Sequence, residues 1–120
     1  MNREELQSSG VERERRVSLG DAISRLTLQP EQPFAKVFEH GSLVVEIFAP
    51  RGKDTQQPHK RDEVYIVMRG SGEFWNGELR QRVVAGDLLF VAAGIEHRFE
   101  NFTDDLALWV IFYGPDGGEG

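Results

Sequence analysis

Residues 63–91 read EVYIVMRGSGEFWNGELRQRVVAGDLLFV, and the punctuation of this stretch decides the fold. Apolar or β-favouring runs of four to eight residues alternate with single glycines or short polar turns, which is the pattern of strands joined by tight connections. Asn76-Gly77, between Phe74-Trp75 and Glu78-Leu79, predicts a type I′ hairpin, whose two central residues both need φ > 0. Outward from this stretch the pattern continues. Strands are predicted over Phe34–Glu39, Leu43–Ala49, Glu63–Arg69, Gly72–Trp75, Leu79–Val84, Leu88–Val91, His97–Phe102 and Leu106–Tyr113. The separators are His40-Gly41, Pro50 through Pro58, Gly70, Gly86-Asp87, Gly94 and Thr103 to Asp105. Eight short strands with no intervening helix indicate an all-β, antiparallel sandwich or barrel.

Before the strands, Ser18 is placed as an N-cap, and Leu19, Ala22, Ile23 and Leu26 fall at the spacing of one helical face. A short helix is expected there, ended by Gln29-Pro30 to Pro33. Residues 1–17 form a polar arm. The barrel domain is expected over 18–114, with 115–120 as a flexible C-terminal tail.

The 120 residues suit one domain with one core. A net charge of −6 repels phosphate backbones and argues against nucleic acid. The absence of cysteine excludes disulfides, thiolate metal sites and a cysteine nucleophile. No stretch approaches the roughly 20 apolar residues of a membrane span, and the charged Met1–Leu6 carries no secretory pattern. A soluble, cytoplasmic protein is the expectation. Glu63–Met68 and Leu106–Tyr113 are apolar on both faces, whereas a half-solvated sheet should alternate. A lumen on one side and a second subunit on the other would account for this, so a homodimer is expected.

Three histidines are present: His40, His59 and His97. His40 sits in a His-Gly turn and reads as a surface residue. His59 lies four positions before Glu63, which opens a strand face shared with Tyr65 and Val67. A carboxylate on such a face is costly to bury unless a cation or a metal pairs with it. His97 shares a face with Phe99 and Asn101, while Arg98 and Glu100 point the other way. Among the aromatic residues, Trp75, Phe48, Phe90, Phe99, Trp109 and Tyr113 read as core or interface. Arg51, Lys53, Lys60 and Arg61 tilt the loop before the Glu63 strand towards positive charge, and read as a solvated loop.

Residues 52–70, GKDTQQPHKRDEVYIVMRG, and 86–101, GDLLFVAAGIEHRFEN, together resemble the two motifs of the cupin superfamily, G(X)5HXH(X)3,4E(X)6G and G(X)5PXG(X)2H(X)3N. His59, Glu63 and Gly70 fall at the first motif's spacings, and Gly86, Gly94, His97 and Asn101 at the second's. Two positions depart. Gln57 stands where the first motif has its first histidine, with the spacer from Gly52 one residue short, and Ala92 replaces the second motif's proline. The resemblance, to a small single-domain bacterial-type cupin of the conserved-barrel kind, covers roughly Phe34 to Tyr113 and implies an antiparallel jelly-roll β-barrel. It implies one divalent metal ion, with iron, manganese, nickel, zinc and copper all compatible, held by His59, Glu63 and His97. Gln57 is a further candidate ligand or substrate contact, and Tyr65, Phe99 and Asn101 are candidate pocket residues. Two imidazoles and one carboxylate with open positions suit non-haem iron(II) and related centres. The implied function is a metal-dependent enzyme of dioxygenase or isomerase type acting on a small oxygen-rich metabolite. The alternatives are a non-catalytic small-molecule-binding or sensing module and a metal-free structural cupin.

Overall fold

The computed structural model describes residues 16–120. The expected N-terminal arm therefore falls outside the described residues except at Arg16 and Val17. Helix α1 spans Leu19–Thr27, and the Ser18 hydroxyl accepts the Asp21 N–H at 3.1 Å, satisfying one of the free donors of the first turn. Eight strands follow: β1 Phe34–His40, β2 Leu43–Phe48, β3 Asp62–Arg69, β4 Ser71–Trp75, β5 Arg80–Val84, β6 Leu88–Val91, β7 Arg98–Glu100 and β8 Ala107–Tyr113. They form a five-stranded sheet in the order β1-β2-β8-β3-β6 and a three-stranded sheet in the order β5-β4-β7, with every pairing antiparallel. This is the expected all-β jelly roll with one short helix.

Register sorts the side chains. Phe48 pairs with Leu108, Tyr65 with Val110 and with Leu89, and Glu63 with Phe112 and with Val91, so these residues share the inner face of the large sheet. They meet Phe74, Val83 and Phe99 from the small sheet in one apolar core. The outer face carries two kinds of surface. Over β1 and β2, Ala22 and Leu26 of α1 bury Ala35, Val37 and Ile47. Over β3 and β6, Leu88 and Phe90 stay 64% and 52% exposed, opposite Ile66 and Val64.

Gly70 turns β3 into β4 at a point where the backbones nearly touch. Its φ is +78°, and a Cβ there would lie 2.7 Å from the Leu106 Cα. Glycine answers both demands, the left-handed conformation and the close approach.

Three local expectations change. The turn at Asn76-Gly77 is not type I′, because among non-glycine described residues only Asn101 has positive φ. Asn76 instead opens the turn, its side-chain oxygen accepting from the Leu79 N–H at 3.1 Å, and Gly77 takes the positive φ at the first central position. An Asn side chain that can mimic the backbone acceptor outcompetes its own left-handed placement. Strand β7 is shorter than expected, and the chain leaves it at Asn101. The last residues fold back: the Gly117 N–H donates to the Lys60 carbonyl at 2.6 Å, and the Glu119 N–H to Asp62 Oδ2 at 2.7 Å. The terminal stretch read as a tail is thus tied to the start of β3.

Candidate metal centre

The two motif segments are stapled by backbone before any side chain meets. The Gly94 N–H donates to the His59 carbonyl at 2.8 Å, and the Ala93 N–H to Asp62 Oδ1 at 2.9 Å. This holds the loop carrying His59 against the β6–β7 turn carrying His97. Glu63 projects inward from the second position of β3. The ligating atoms of His59, Glu63 and His97 lie within 4.8 Å of one another. Glu63 and His97 are fully buried and His59 is partly open.

His97 Nδ1 donates to the Ile95 carbonyl at 2.8 Å, which fixes the ring so that Nε2 faces Glu63 Oε1, also at 2.8 Å. His59 Nε2 lies 3.9 Å from the same oxygen. Neither Glu63 oxygen has a well-aligned hydrogen-bond partner among the described residues. A buried carboxylate without donors is expensive, and two imidazole nitrogens converging on it leave a gap that suits a cation. Donor atoms around one ion at about 2.1 Å lie within about 4.2 Å of each other. The observed spacing needs only small side-chain closure to reach that.

The titrations agree with this geometry. Burial pushes His59 below its usual range, helped by His97 and opposed by Glu63 and Asp54, so the neutral, ligating form is favoured. His97 feels the same burial, but the Glu63 carboxylate and the Ile95 carbonyl outweigh it and raise its pKa. When protonated, its Nε2 would offer Glu63 a charged donor in a cation's place. Burial, with Glu63 and Asp54 beside it, lifts the Tyr65 hydroxyl well above the usual phenol range, so it stays a donor.

Tyr65 is buried at the site, its hydroxyl 2.9 Å from Gln56 Oε1 and 3.0 Å from His97 Nε2. Phe99 packs edge-on beneath it with ring centres 5.2 Å apart, a core support and not a cavity wall. Two sequence readings move. Gln57 is exposed, with its amide nitrogen 3.5 Å from the Thr55 carbonyl, and Gln56 takes the inward place, its Oε1 3.2 Å from His59 Nε2. With one residue fewer after Gly52 than the motif requires, the loop brings the preceding glutamine to the centre. Asn101 is exposed at φ 47° and donates to Glu73 Oε1 at 2.6 Å on the outside of the small sheet. The strand parity that would have aimed it at the pocket ends at Glu100.

Two further residues escaped the sequence reading. Asp54, 5% exposed, accepts the Phe99 N–H at 2.8 Å and the Gln56 side-chain amide at 2.6 Å, so Gln56 must turn its oxygen towards Tyr65 and His59. Nothing periodic marks Asp54 in a polar loop. Glu46 was more legible, since it is the one charge in the apolar run LVVEIF. It shares a face with Val44 and Phe48, and all three line a cavity of about 380 Å³ that opens beside His59, Tyr65 and Phe112.

Burial, then the nearby Glu63 charge, raises the Glu46 pKa, with Lys36 opposing. A carboxyl group whose folded-state pKa lies above its unfolded value adds stability at acid pH and loses it as pH climbs through the raised value. Glu46→Gln should therefore match the wild type near pH 4. At pH 8, with EDTA present, it should melt higher by roughly 3 °C. Melts at both pH values check this; a constant difference between them would contradict it.

The profile of the cupin domain family matches residues 44–113. The Streptomyces coelicolor protein SCO3923, whose function is uncharacterised, is 36% identical over 63 residues, covering 52% of this chain and 60% of that protein. The chain thus spans about three-fifths of that relative's length. Among solved structures, a cupin-2 domain protein from Shewanella frigidimarina is 19% identical with a TM-score of 0.65, covering 82% of this chain and 94% of its own. A cupin 2 conserved barrel domain protein from Salinispora arenicola is 19% identical with a TM-score of 0.57, covering 68% and 74%.

Proposed function

Because the chain belongs to the cupin domain family, we propose that it is a metal-dependent enzyme of dioxygenase or isomerase type acting on a small oxygen-rich metabolite. The observation that carries this reading is the pairing of His59 and His97 with a fully buried Glu63 whose oxygens have no well-aligned hydrogen-bond partner among the described residues, beside a cavity of about 380 Å³. His59, Glu63 and His97 would hold one divalent ion, and the Gln56 oxygen is a neutral fourth donor. When bound, such an ion supplies Lewis acidity to a ligand oxygen or activates water or dioxygen.

The chain's own residues do the rest. Tyr65, held protonated, donates its O–H to Gln56 Oε1 and would present it to a ligand oxygen by turning from that amide. Asp54 fixes the direction of the Gln56 amide. Phe48, Val110 and Phe112 give the cavity apolar walls that thin out water and strengthen every polar contact inside. No helix among the described residues is long and apolar enough to cross a membrane.

Elemental analysis of protein purified without a histidine tag should find close to one transition metal per chain, and His97→Ala should remove it. A metal-free wild type whose melting temperature and metal uptake are unchanged by His97→Ala would defeat the reading. Oxygen uptake and turnover across enediols, diketones, catechols and uronates, with iron(II), manganese or nickel restored, separate the enzyme from a sensing module. Binding without turnover across that panel favours the module.

A further inference from the structure

Arg61 lies immediately before β3, two residues ahead of Glu63, and lines the cavity. Its Nε donates to the Gly114 carbonyl at 3.0 Å, which clamps one edge of the guanidinium to the end of β8. Of the five N–H donors an arginine carries, this is the one in use among the described residues. Among the described residues the buried Nη2 has no hydrogen-bond partner, and no carboxylate comes within ion-pair distance of the group. The two neighbouring acids do not supply one. Asp62 spends its oxygens on the Ala93 and Glu119 backbone, and Asp116 lines the same cavity without reaching Arg61.

A half-buried guanidinium without a counter-ion is unusual in a chain with 20 acidic and 14 basic residues. A guanidinium suits a carboxylate, and Arg61 shares the cavity lining with the apolar Phe48, Val110 and Phe112 and with the acids Glu46 and Asp116. We infer that Arg61 is the anion subsite of this cavity, and that the oxygen-rich ligand carries a carboxylate for Arg61 and a short apolar segment that meets Phe48, Val110 and Phe112. This rests on reading the cavity as the substrate site, and it narrows the substrate class. The loop's other cations differ from Arg61: Arg51 and Lys53 are exposed, and Lys60 lines the cavity from an exposed position. Glu46, on the facing wall, has its pKa raised by burial and by the Glu63 charge, which weakens its opposition to an anion.

The test uses EDTA-treated full-length protein, so that it stands apart from metal binding. Phenylacetate and its uncharged isostere phenylacetamide are titrated calorimetrically or by NMR. Phenylacetate should bind at least tenfold tighter. Arg61→Gln should bring the ratio close to one, while Lys60→Gln leaves it above five. A wild-type ratio near one, no binding of either probe, or a ratio that survives in Arg61→Gln overturns the inference. If Arg61→Gln fails to fold, the wild-type ratio decides alone. A tenfold ratio in a protein that never takes up metal would overturn the proposed metal chemistry and leave the carboxylate subsite standing.

Discussion

Glu63→Gln is expected to change the protein's stability in opposite directions with and without metal. The wild-type carboxylate is fully buried, and neither oxygen has a well-aligned donor among the described residues. An uncompensated buried group of this kind costs about 1–3 kcal/mol. At pH 8 in EDTA, the neutral amide should therefore raise the melting temperature by about 5 °C. Adding metal at a hundred times its Kd should stabilise the wild type by about 2.7 kcal/mol, or roughly 10 °C. The variant should gain almost none of that, since losing a direct ligand weakens affinity by more than the 10- to 100-fold typical of supporting residues. Thermal melts with and without zinc or iron(II) check both signs. A variant stabilised by metal as much as the wild type would remove Glu63 from the ligand set. A variant that melts lower in EDTA would mean that His97 already compensates the charge.

Asp54→Ala carries the second large effect, although Asp54 belongs to no motif. Its carboxylate takes the Phe99 N–H, which is buried in β7, and both the backbone and side-chain N–H groups of Gln56. Alanine would leave the Phe99 donor unpaired in the core and free the loop that carries His59. The expected loss is about 3 kcal/mol, a drop of roughly 10 °C in melting temperature. Asp54→Asn keeps the shape but sets an NH2 against one of those donors, so a smaller loss is expected. Wild-type stability in Asp54→Ala would show that water replaces the carboxylate at no cost.

How far the sequence could be read depended on whether a residue sat in a periodic element. Strands β1 to β8 were legible because glycines and polar turns bound each apolar run, and the observed ends differ by a few residues at most. His59, Glu63 and His97 were legible together through their match to the two cupin motifs, since each alone reads as an ordinary surface or core residue. Gln57 and Asn101 were misplaced where periodicity stops. One lies in an irregular loop and the other past a three-residue strand that ends in a left-handed turn. Asp54 and Arg61 gain their meaning from partners or from the lack of them, such as the carbonyl of Gly114 fifty-three positions away. No local pattern encodes that.

The folding-back of the last residues onto Lys60 and Asp62 has a practical consequence at the bench. Gly118 sits at φ +90°, and a Cβ on it would lie 2.8 Å from Asp62 Oδ1, so the strap has little room for change. Anything appended after Gly120 emerges a few residues from the cavity mouth. A C-terminal polyhistidine extension would hold a cluster of imidazoles beside His59, where it can compete for the ion and distort the measured stoichiometry.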